Sequence, residues 1–256
     1  MANLYYGEGL APEAFAPGAL VEIAGEEARH ALRVARLRAG ERILVGNGEG
    51  ALGEGVVESA AKDRFAVRLD GATHATAPAL TLTLVQALAK GDRDERAVEQ
   101  ATEFGIDRIL PWEAERSVSR WSGRGSGPEK AEKGVEKWRR IAREASKQSL
   151  RARVPEVGTP VDLAELCEFA ANSDHAVVVL HPRGERRLSE WAAGLRATEV
   201  SDVTLVVGPE GGLSDPELER LSAAGAVILL LGDTVLRTSS AGPAGIAVLN
   251  AALGRW

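Results

Sequence analysis

Two glycine-containing turns in the C-terminal third of the sequence have the residue types and spacing of a small-ligand site. The apolar run 204–207 ends in Gly208-Pro-Glu-Gly-Gly212, and the apolar run 227–231 ends at Gly232, with Arg237 a few residues later. Both runs have strand character, and glycine allows the backbone to approach a ligand closely. We therefore predict that the two turns lie side by side at the carboxyl edge of a parallel sheet, where they form a cleft for a small molecule.

Another turn of the same kind supports this interpretation. Residues 176–180 have the composition of a buried strand, and His181-Pro-Arg-Gly184 follows them directly. Three such turns that converge on one ligand are a more specific signal than any one of them. The residues alone leave the chemical class of the ligand open.

The sequence from residue 79 onward alternates strand and helix patterns, which predicts an α/β fold with a parallel sheet and right-handed crossovers. Lys90 and Arg93 follow the first of these strands, and Gly105 is a natural end for the first helix. The predicted strands are 80–87, 106–111, 176–180, 204–207 and 227–231; the predicted helices are 92–104, 129–149, 162–171 and one that begins at about residue 241.

Residues 1–72 have a different pattern and predict a small β domain, joined through the polar linker 73–78 to the domain 79–256. The expected strands are 19–23, 41–45, 51–58 and 65–69, with one helix at 26–38. Leu32, Val34 and Leu37 are expected to face the domain, which leaves the arginines of this helix in solvent. A small barrel with a basic helix is a common way to hold RNA, but an ordinary amphipathic helix explains the pattern equally well.

The segment Gly48-Glu-Gly50-Ala-Leu-Gly53 matches the dinucleotide-binding pattern letter for letter. That pattern must follow a strand and open a helix, whereas residues 51–58 continue as a strand. We therefore interpret the segment as a hairpin turn and not as a nucleotide site.

Composition and charge narrow the class of protein. The net charge is −6, yet twelve Lys or Arg face only four Glu between residues 116 and 153, which indicates a polyanion partner or a solvated basic helix. The single cysteine excludes an internal disulfide and favours the cytoplasm, and the four scattered histidines give no metal-ligand spacing. Since there is no secretory signal and no apolar run long enough to span a bilayer, we expect a soluble protein with neither metal nor membrane partner.

Several motifs together resemble the SPOUT methyltransferases, and specifically the RsmE family, which methylates N3 of a uridine in 16S ribosomal RNA of the small subunit. The matching segments are Leu88-Ala-Lys-Gly-Asp-Arg93, Thr102-Glu-Phe-Gly-Ile106, Glu115-Arg-Ser-Val118, Trp138-Arg-Arg-Ile-Ala-Arg-Glu-Ala145, Gln148-Ser-Leu-Arg151, Val207-Gly-Pro-Glu-Gly-Gly212 and Leu236-Arg-Thr238. Their order and spacing hold from about His30 to the end of the chain.

The resemblance implies an N-terminal PUA-like β-barrel that holds RNA and a C-terminal domain with a deep trefoil knot. It also implies a homodimer and the cofactor S-adenosylmethionine. Carried over by position, the cofactor-binding residues are Leu180, His181, Pro182, Gly208, Pro209, Gly211, Gly212, Leu231, Gly232, Leu236, Arg237 and Thr238.

Two residues are the candidates for catalysis, and a basic set is the candidate for RNA binding. Arg237 is expected to stabilise the negative charge that develops on the uracil oxygens, and Glu210 is expected to act as a base or to orient backbone amides. The candidates for RNA binding are Arg29, His30, Arg33, Arg36, Lys90, Arg93, Arg116, Arg143 and Arg151.

The chain departs from the family at two places. Ser239-Ser240 stands where the family has Glu-Thr, and Gln100 stands where a lysine is expected. Two alternatives therefore stay open, namely a ribose 2′-O-methyltransferase of the same superfamily and a non-catalytic RNA-binding assembly factor. A nicotinamide-dependent oxidoreductase is disfavoured because no helix pattern follows Gly53.

Overall fold

A computed structural model describes residues 3–122, 128–195 and 200–256 of the 256-residue chain. It divides into two compact units. The first comprises Met1–Ala77 together with Arg143–Val154, and the second comprises Pro78–Ala142 together with Pro155–Trp256. The sequence pattern gives no sign that residues 143–154 belong with the N-terminal unit.

The first unit is built on a five-stranded sheet with one helix. Its elements are β1 (Leu4–Tyr6), β2 (Leu20–Ala24), α1 (Gly25–Arg33), β3 (Arg42–Gly46), β4 (Ala51–Ala60) and β5 (Arg64–His74). The strand order is β1-β3-β4-β5-β2, and every neighbouring pair is antiparallel except β1 with β3. Because β3 and β4 form an antiparallel hairpin, the turn that was predicted for Gly48–Gly53 is confirmed and the dinucleotide pattern is coincidental.

Helix α1 ends at Arg33, five residues earlier than predicted. Leu37 N–H bonds to Ala31 C=O at 3.0 Å and Arg36 has φ of +57°, which together close the helix with a left-handed C-terminal turn. Leu37 is buried as expected, but Val34 is 68% exposed because it lies past the last regular turn.

The second unit is an α/β domain with a seven-stranded, wholly parallel sheet. Helix α3 starts in this unit, and its last turns belong to the first. The elements are β6 (Thr81–Ala87), α2 (Arg93–Glu103), β7 (Arg108–Trp112), α3 (Pro128–Gln148), β8 (Glu156–Val157), α4 (Leu163–Ala171), β9 (His175–Leu180), β10 (Arg186–Arg187), α5 (Leu188–Ala193), β11 (Asp202–Val207), α6 (Asp215–Ala223), β12 (Val227–Leu230) and α7 (Thr238–Ala252). The strand order is β10-β12-β9-β11-β6-β7-β8.

Helices cover both faces of this sheet, which explains the continuous apolar composition of its strands. In β11, Val203 and Leu205 pack into a core shared with α2, α3, α5 and α7, whereas Val206 packs into a second core shared with α4 and α6. Trp138 is buried in the first of these cores, on an apolar stripe of α3 that also contains Val135 and Ala142.

The main differences from the predicted elements concern short or unusually composed segments. β1, β8, β10, α5 and α6 were not predicted, and β7 lies slightly later than expected. α7 begins at Thr238 and not at about residue 241, so the loop after β12 is shorter than predicted. Within the described residues, no helix is long and apolar enough to cross a membrane.

Candidate active site

The three glycine-bearing turns follow three neighbouring strands. In chain order, the first turn (181–184) follows β9, the second (208–212) follows β11 and the third (232–237) follows β12. β9 lies in the centre and pairs with both β11 and β12. The expectation that β11 and β12 lie directly side by side is therefore wrong, because β9 separates them. Since all three strands are parallel, their turns nevertheless meet at one edge of the sheet, as the convergence of three turns requires.

These turns line two adjoining cavities of about 650 and 400 Å³. Leu180–Pro182 and Leu236 border both of them. Both volumes fall in the range of about 300–1,000 Å³ that is common for small-ligand sites. The following predicted residues line one or both cavities: Leu180, His181, Pro182, Gly208, Pro209, Glu210, Gly211, Gly212, Leu231, Gly232, Leu236, Arg237 and Thr238.

The glycines of the second turn form a backbone cradle that larger side chains would fill. A Cβ on Gly208 would lie 2.9 Å from the Leu213 side chain, and one on Gly211 would lie 3.1 Å from Arg116 Cβ. Gly212 has φ of +67°, a conformation that favours glycine. The wall of the cavity is therefore peptide backbone, which offers a ligand hydrogen-bonding groups at close range.

Thr238, the first residue after the third turn, connects that turn with the second one. Its hydroxyl donates to Gly208 C=O at 2.8 Å and accepts from Gln86 Nε2 at 2.9 Å. Gln86 is fully buried at the end of β6, and Thr238 is 6% exposed. The three residues therefore fix the floor of the cavity. Gln86 was not among the predicted site residues, although a glutamine at the end of an apolar strand was a signal for such a role.

Arg237 is the exposed cation of the site. It occupies the N-cap position of α7, lines the larger cavity and makes no ion pair with any described residue. The first turn of α7 contains Ser239 and Ser240 and has no acidic side chain. The positive end of the helix dipole thus adds to the guanidinium charge, so this side of the cavity attracts anionic groups. Among the described residues no carboxylate forms a salt bridge with Arg237, so the structure gives it no such structural role.

Glu210 lies at the mouth of the same cavity and joins two loops. Its Oε1 accepts from Lys90 N–H at 3.0 Å and from Arg93 Nη1 at 2.5 Å. Partial burial acts to raise its pKa, but the hydrogen bonds from Arg93 and the backbone outweigh this, so the pKa of Glu210 lies below its usual value. An ionised carboxylate that is already engaged by two donors is a weak base, which favours an orienting role.

His181 contributes a neutral ring to the cavity. Burial, followed by the nearby charge of Arg183, lowers its pKa, against a smaller opposite effect of Asp215. The ring Nδ1 accepts from Arg183 N–H at 3.2 Å. This bond requires an unprotonated Nδ1, so the neutral ring carries its proton on Nε2.

Arg116 and Glu217 hold the second turn against the loop that follows β7. Arg116 Nη1 donates to Gly211 C=O and Leu213 C=O, both at 3.2 Å. The buried Glu217 carboxylate accepts from Glu115 N–H at 2.7 Å and from Ser214 N–H at 2.8 Å. The contacts of Arg116 brace the cavity wall, and its predicted role in RNA binding stays a prediction. The capping box from Ser214 to Glu217 was visible in the sequence as a helix start.

The other residues predicted to bind RNA fall into both units. Arg29, His30, Arg33 and Arg36 are exposed on α1 and the turn after it. Lys90 and Arg93 lie by the cavity mouth, as their contacts with Glu210 require. Two more, Arg143 and Arg151, belong to the first unit.

Arg143 is engaged within the first unit. Its Nη2 donates to Tyr6 C=O at 3.2 Å, and its guanidinium lies 5.3 Å from the centre of the Tyr6 ring. Its side chain is 26% exposed, with Glu27 Oε2 at 3.8 Å. These contacts give Arg143 a structural role in the first unit.

Comparison with known families defines the class of protein. Residues 76–250 match the RNA methyltransferase domain family, and residues 23–70 match the RNA methyltransferase PUA domain family. The predicted combination of an α/β domain and an N-terminal PUA-like domain is thereby confirmed. A parallel sheet with a ligand cleft at its carboxyl edge, joined to a PUA domain, is the architecture of an RNA methyltransferase.

Individual relatives narrow this class. Ribosomal RNA small subunit methyltransferase E of Mycobacterium bovis is 38% identical over 93% of this chain and 89% of that protein. The Bacillus subtilis protein of the same name is 30% identical over 86% of this chain and 85% of its own length. The crystal structure of this methyltransferase from Neisseria gonorrhoeae, bound to S-adenosyl methionine, is 26% identical with a TM-score of 0.80, covering 99% of this chain and 98% of that one. The chain belongs to the ribosomal RNA small subunit methyltransferase E family.

Proposed function

We propose that the protein transfers a methyl group from S-adenosylmethionine to N3 of a uridine in 16S ribosomal RNA. The observation that carries this proposal is the cavity at the ends of β9, β11 and β12, which presents an unpaired arginine beside a backbone cradle. Membership of the family and the cofactor in the Neisseria structure support the same reaction.

The cavity suits the cofactor in size and in the chemistry of its walls. Leu180–Pro182 and Leu231–Gly232 supply apolar surface, and the turn Gly208–Gly212 supplies backbone groups that can bond to polar parts of the ligand. When bound, S-adenosylmethionine supplies an electrophilic methyl group on a sulfonium. The residues of the protein then have to align the nucleophile with that methyl group, which accounts for most of the acceleration expected in a displacement reaction.

Arg237 provides the electrostatic part of this reaction. Uracil N3 carries a proton, and its loss leaves negative charge that spreads onto O2 and O4. An unpaired guanidinium at the positive end of α7 stabilises that charge more strongly than a guanidinium neutralised by a carboxylate. With Ser239 and Ser240 in place of the family's Glu-Thr, the first turn of α7 contains no carboxylate that would neutralise Arg237.

Glu210 and Thr238 act as positioning residues. Glu210 fixes the Lys90–Arg93 loop against the second turn, and Thr238 fixes that turn against α7. Each residue acts on the shape of the cavity, and neither is required to exchange a proton with the substrate.

The N-terminal domain serves to bind the RNA that flanks the target base. N3 lies on the Watson–Crick edge, so the target base must be unpaired or flipped out while flanking RNA is held elsewhere. We assign this task to residues 1–72, the PUA-like domain, with 73–78 as linker and 79–256 as the methyltransferase domain. The exposed Arg29, Arg33 and Arg36 are suited to phosphates. A cytoplasmic homodimer whose cofactor site lies within a trefoil knot completes the proposal, with the small ribosomal subunit or its RNA as the partner.

The proposal is tested by transfer of a labelled methyl group from S-adenosylmethionine to small ribosomal subunits and to free 16S ribosomal RNA. We expect transfer by the wild type and a reduction in kcat of about 10²–10³-fold for Arg237→Ala. Arg220→Ala is the matched control, since Arg220 is exposed on α6 and does not line the cavity. Normal transfer by Arg237→Ala would contradict the assigned role, and no transfer by the wild type to either RNA would contradict the function.

A further inference from the structure

The first unit contains a cavity of its own, separate from the cleft at the sheet edge. Its volume is about 360 Å³, at the lower end of the range for small-ligand sites. It lies between the N-terminal strand, the end of α1 and the last turn of α3. The polar residues around it are Asn3, His30, Glu144, Lys147 and Gln148.

Two strained backbone positions frame this cavity. Among the described residues, only Arg36 and Leu150 combine a side chain with a positive φ, at +57° and +55° respectively. Leu150 lines the cavity, and Arg36 follows Ala35, which also lines it. Left-handed backbone is unfavourable for a residue such as leucine, and it is often retained where it shapes a binding site. Leu150 therefore forms part of the cavity wall, and Arg36 adjoins it.

The charges inside the cavity argue against an anion as the occupant. Lys147 Nζ lies 3.3 Å from both carboxylate oxygens of Glu27 and 2.7 Å from Glu144 Oε1. Two carboxylates thus offset the charge of Lys147, so a phosphate placed there would be repelled. A neutral group with donors and acceptors is favoured instead, because the carboxamides of Asn3 and Gln148 offer both.

The rim of the cavity has the opposite character. Arg33 lies one helical turn after His30 and therefore on the same side of α1, and Arg36 follows in the terminal turn. Both are exposed, and neither makes an ion pair with a described residue. An interior without excess positive charge below a cationic rim matches a nucleotide whose base points inward and whose phosphates remain outside.

We propose that this cavity holds the base of one unpaired nucleotide of the RNA substrate. Asn3 and Gln148 bond to the edge of the base, and Arg33 and Arg36 contact the adjoining phosphates. The inference rests on the proposed function and adds to it a place where the RNA-binding unit reads a base in addition to the backbone. Such a contact positions the RNA while the target uridine occupies the other unit.

The experiment fills the cavity and measures RNA affinity. Ala35→Phe places a ring at the cavity wall, and Ala39→Phe is the matched control because Ala39 is exposed and lies outside the cavity. The probe is a fluorescein-labelled single-stranded RNA of about 12 nucleotides with mixed sequence, and the readout is fluorescence anisotropy. We expect Ala35→Phe to raise Kd about tenfold, within the range for loss of one base contact, and Ala39→Phe to leave it within about twofold.

A second probe separates base recognition from phosphate binding. The same RNA length without bases, a ribose-phosphate chain of about 12 units, should bind wild type and Ala35→Phe equally. Gln148→Ala removes a polar contact without adding volume, and it should also weaken binding of the base-containing RNA only. Equal RNA affinity for wild type, Ala35→Phe and Gln148→Ala would overturn the proposal, as would equal losses with both probes.

Calorimetry with S-adenosylmethionine separates the test of this cavity from the test of the proposed function, because it measures cofactor binding by the second unit alone. Unchanged cofactor affinity in Ala35→Phe shows that the second unit is intact, and the anisotropy result then bears on the cavity alone. If the wild type binds the RNA probe through this cavity yet transfers no methyl group to ribosomal RNA, the proposed function fails and the cavity assignment stands.

Discussion

Replacement of Thr238 by valine is the sharpest test of how the cavity is held together. Valine has nearly the same shape as threonine, so the substitution removes the hydroxyl and leaves the packing of α7 largely intact. Two hydrogen bonds disappear, one to Gly208 C=O and one from Gln86 Nε2, at 2.8 and 2.9 Å. Gln86 Nε2 retains Ala87 C=O at 3.1 Å, whereas Gly208 C=O loses the link to α7.

The expected size of the effect follows from those contacts. A typical internal hydrogen bond contributes about 0.5–1.5 kcal/mol net, so the loss of two corresponds to roughly 1–3 kcal/mol. If the loss is expressed fully in ligand binding, the Kd for S-adenosylmethionine rises between about 5- and 150-fold. If part of this free energy is already lost in the protein without ligand, that part lowers the free energy of unfolding instead.

Isothermal titration calorimetry measures the Kd for S-adenosylmethionine, and urea denaturation measures the free energy of unfolding. Thr238→Ser is the control, since it keeps the hydroxyl and loses only a methyl group. We expect Thr238→Ser to bind S-adenosylmethionine nearly as the wild type does. If Thr238→Val matched the wild type in both cofactor affinity and unfolding free energy, the idea that this hydroxyl fixes the cavity floor would be refuted.

Three further substitutions probe the loops around the cavity. Glu210→Gln should make the free energy of unfolding less dependent on pH in the acid range. The folded-state pKa of Glu210 is depressed, so the wild-type carboxylate stabilises the fold above its ordinary pKa of 4.5. This stabilisation is lost as the pH falls through the folded-state pKa. Urea denaturation between about pH 3.5 and 7 gives the free energy of unfolding of the wild type and of Glu210→Gln. The same pH dependence in both proteins would contradict a stabilising role of the Glu210 carboxylate. Arg116→Ala should weaken S-adenosylmethionine binding by about 3- to 10-fold through loss of its bonds to the second turn, and an effect confined to RNA affinity would return Arg116 to its predicted role. Glu217→Gln places an amide donor against Glu115 N–H or Ser214 N–H and should cost about 1–3 kcal/mol of unfolding free energy; an unchanged urea midpoint would show that the buried carboxylate is dispensable.

Long elements with clear patterns were predictable from the sequence. The strands β6, β9 and β11 are predominantly apolar, and α3 carries a clear apolar stripe, so burial on the sheet could be inferred without long-range information. The convergence of three turns was also predictable, because strands of a parallel sheet end at the same edge. The order of those strands was not, since no local signal places β9 between β11 and β12.

The errors arise where tertiary contacts override local preference. α7 starts with Thr238-Ser-Ser-Ala-Gly-Pro243, a composition unfavourable for helix, and it forms there because Thr238 is bonded into the cavity floor. β8 and β10 have two residues each, too few for any periodicity. The bonds of Arg116 and Arg143 to backbone carbonyls were not predictable either, since charge does not indicate which carbonyl a long side chain can reach, and their assignment to RNA stays a prediction.

The most direct test of the central claim is the identity of the methylated nucleoside. Small ribosomal subunits that lack the modification are incubated with the protein and S-adenosylmethionine, and the RNA is digested to nucleosides for mass spectrometry. We expect 3-methyluridine as the product with wild type and its loss with Arg237→Ala. A product that carries the methyl group on the ribose 2′-oxygen, or no methylated nucleoside at all, would contradict it.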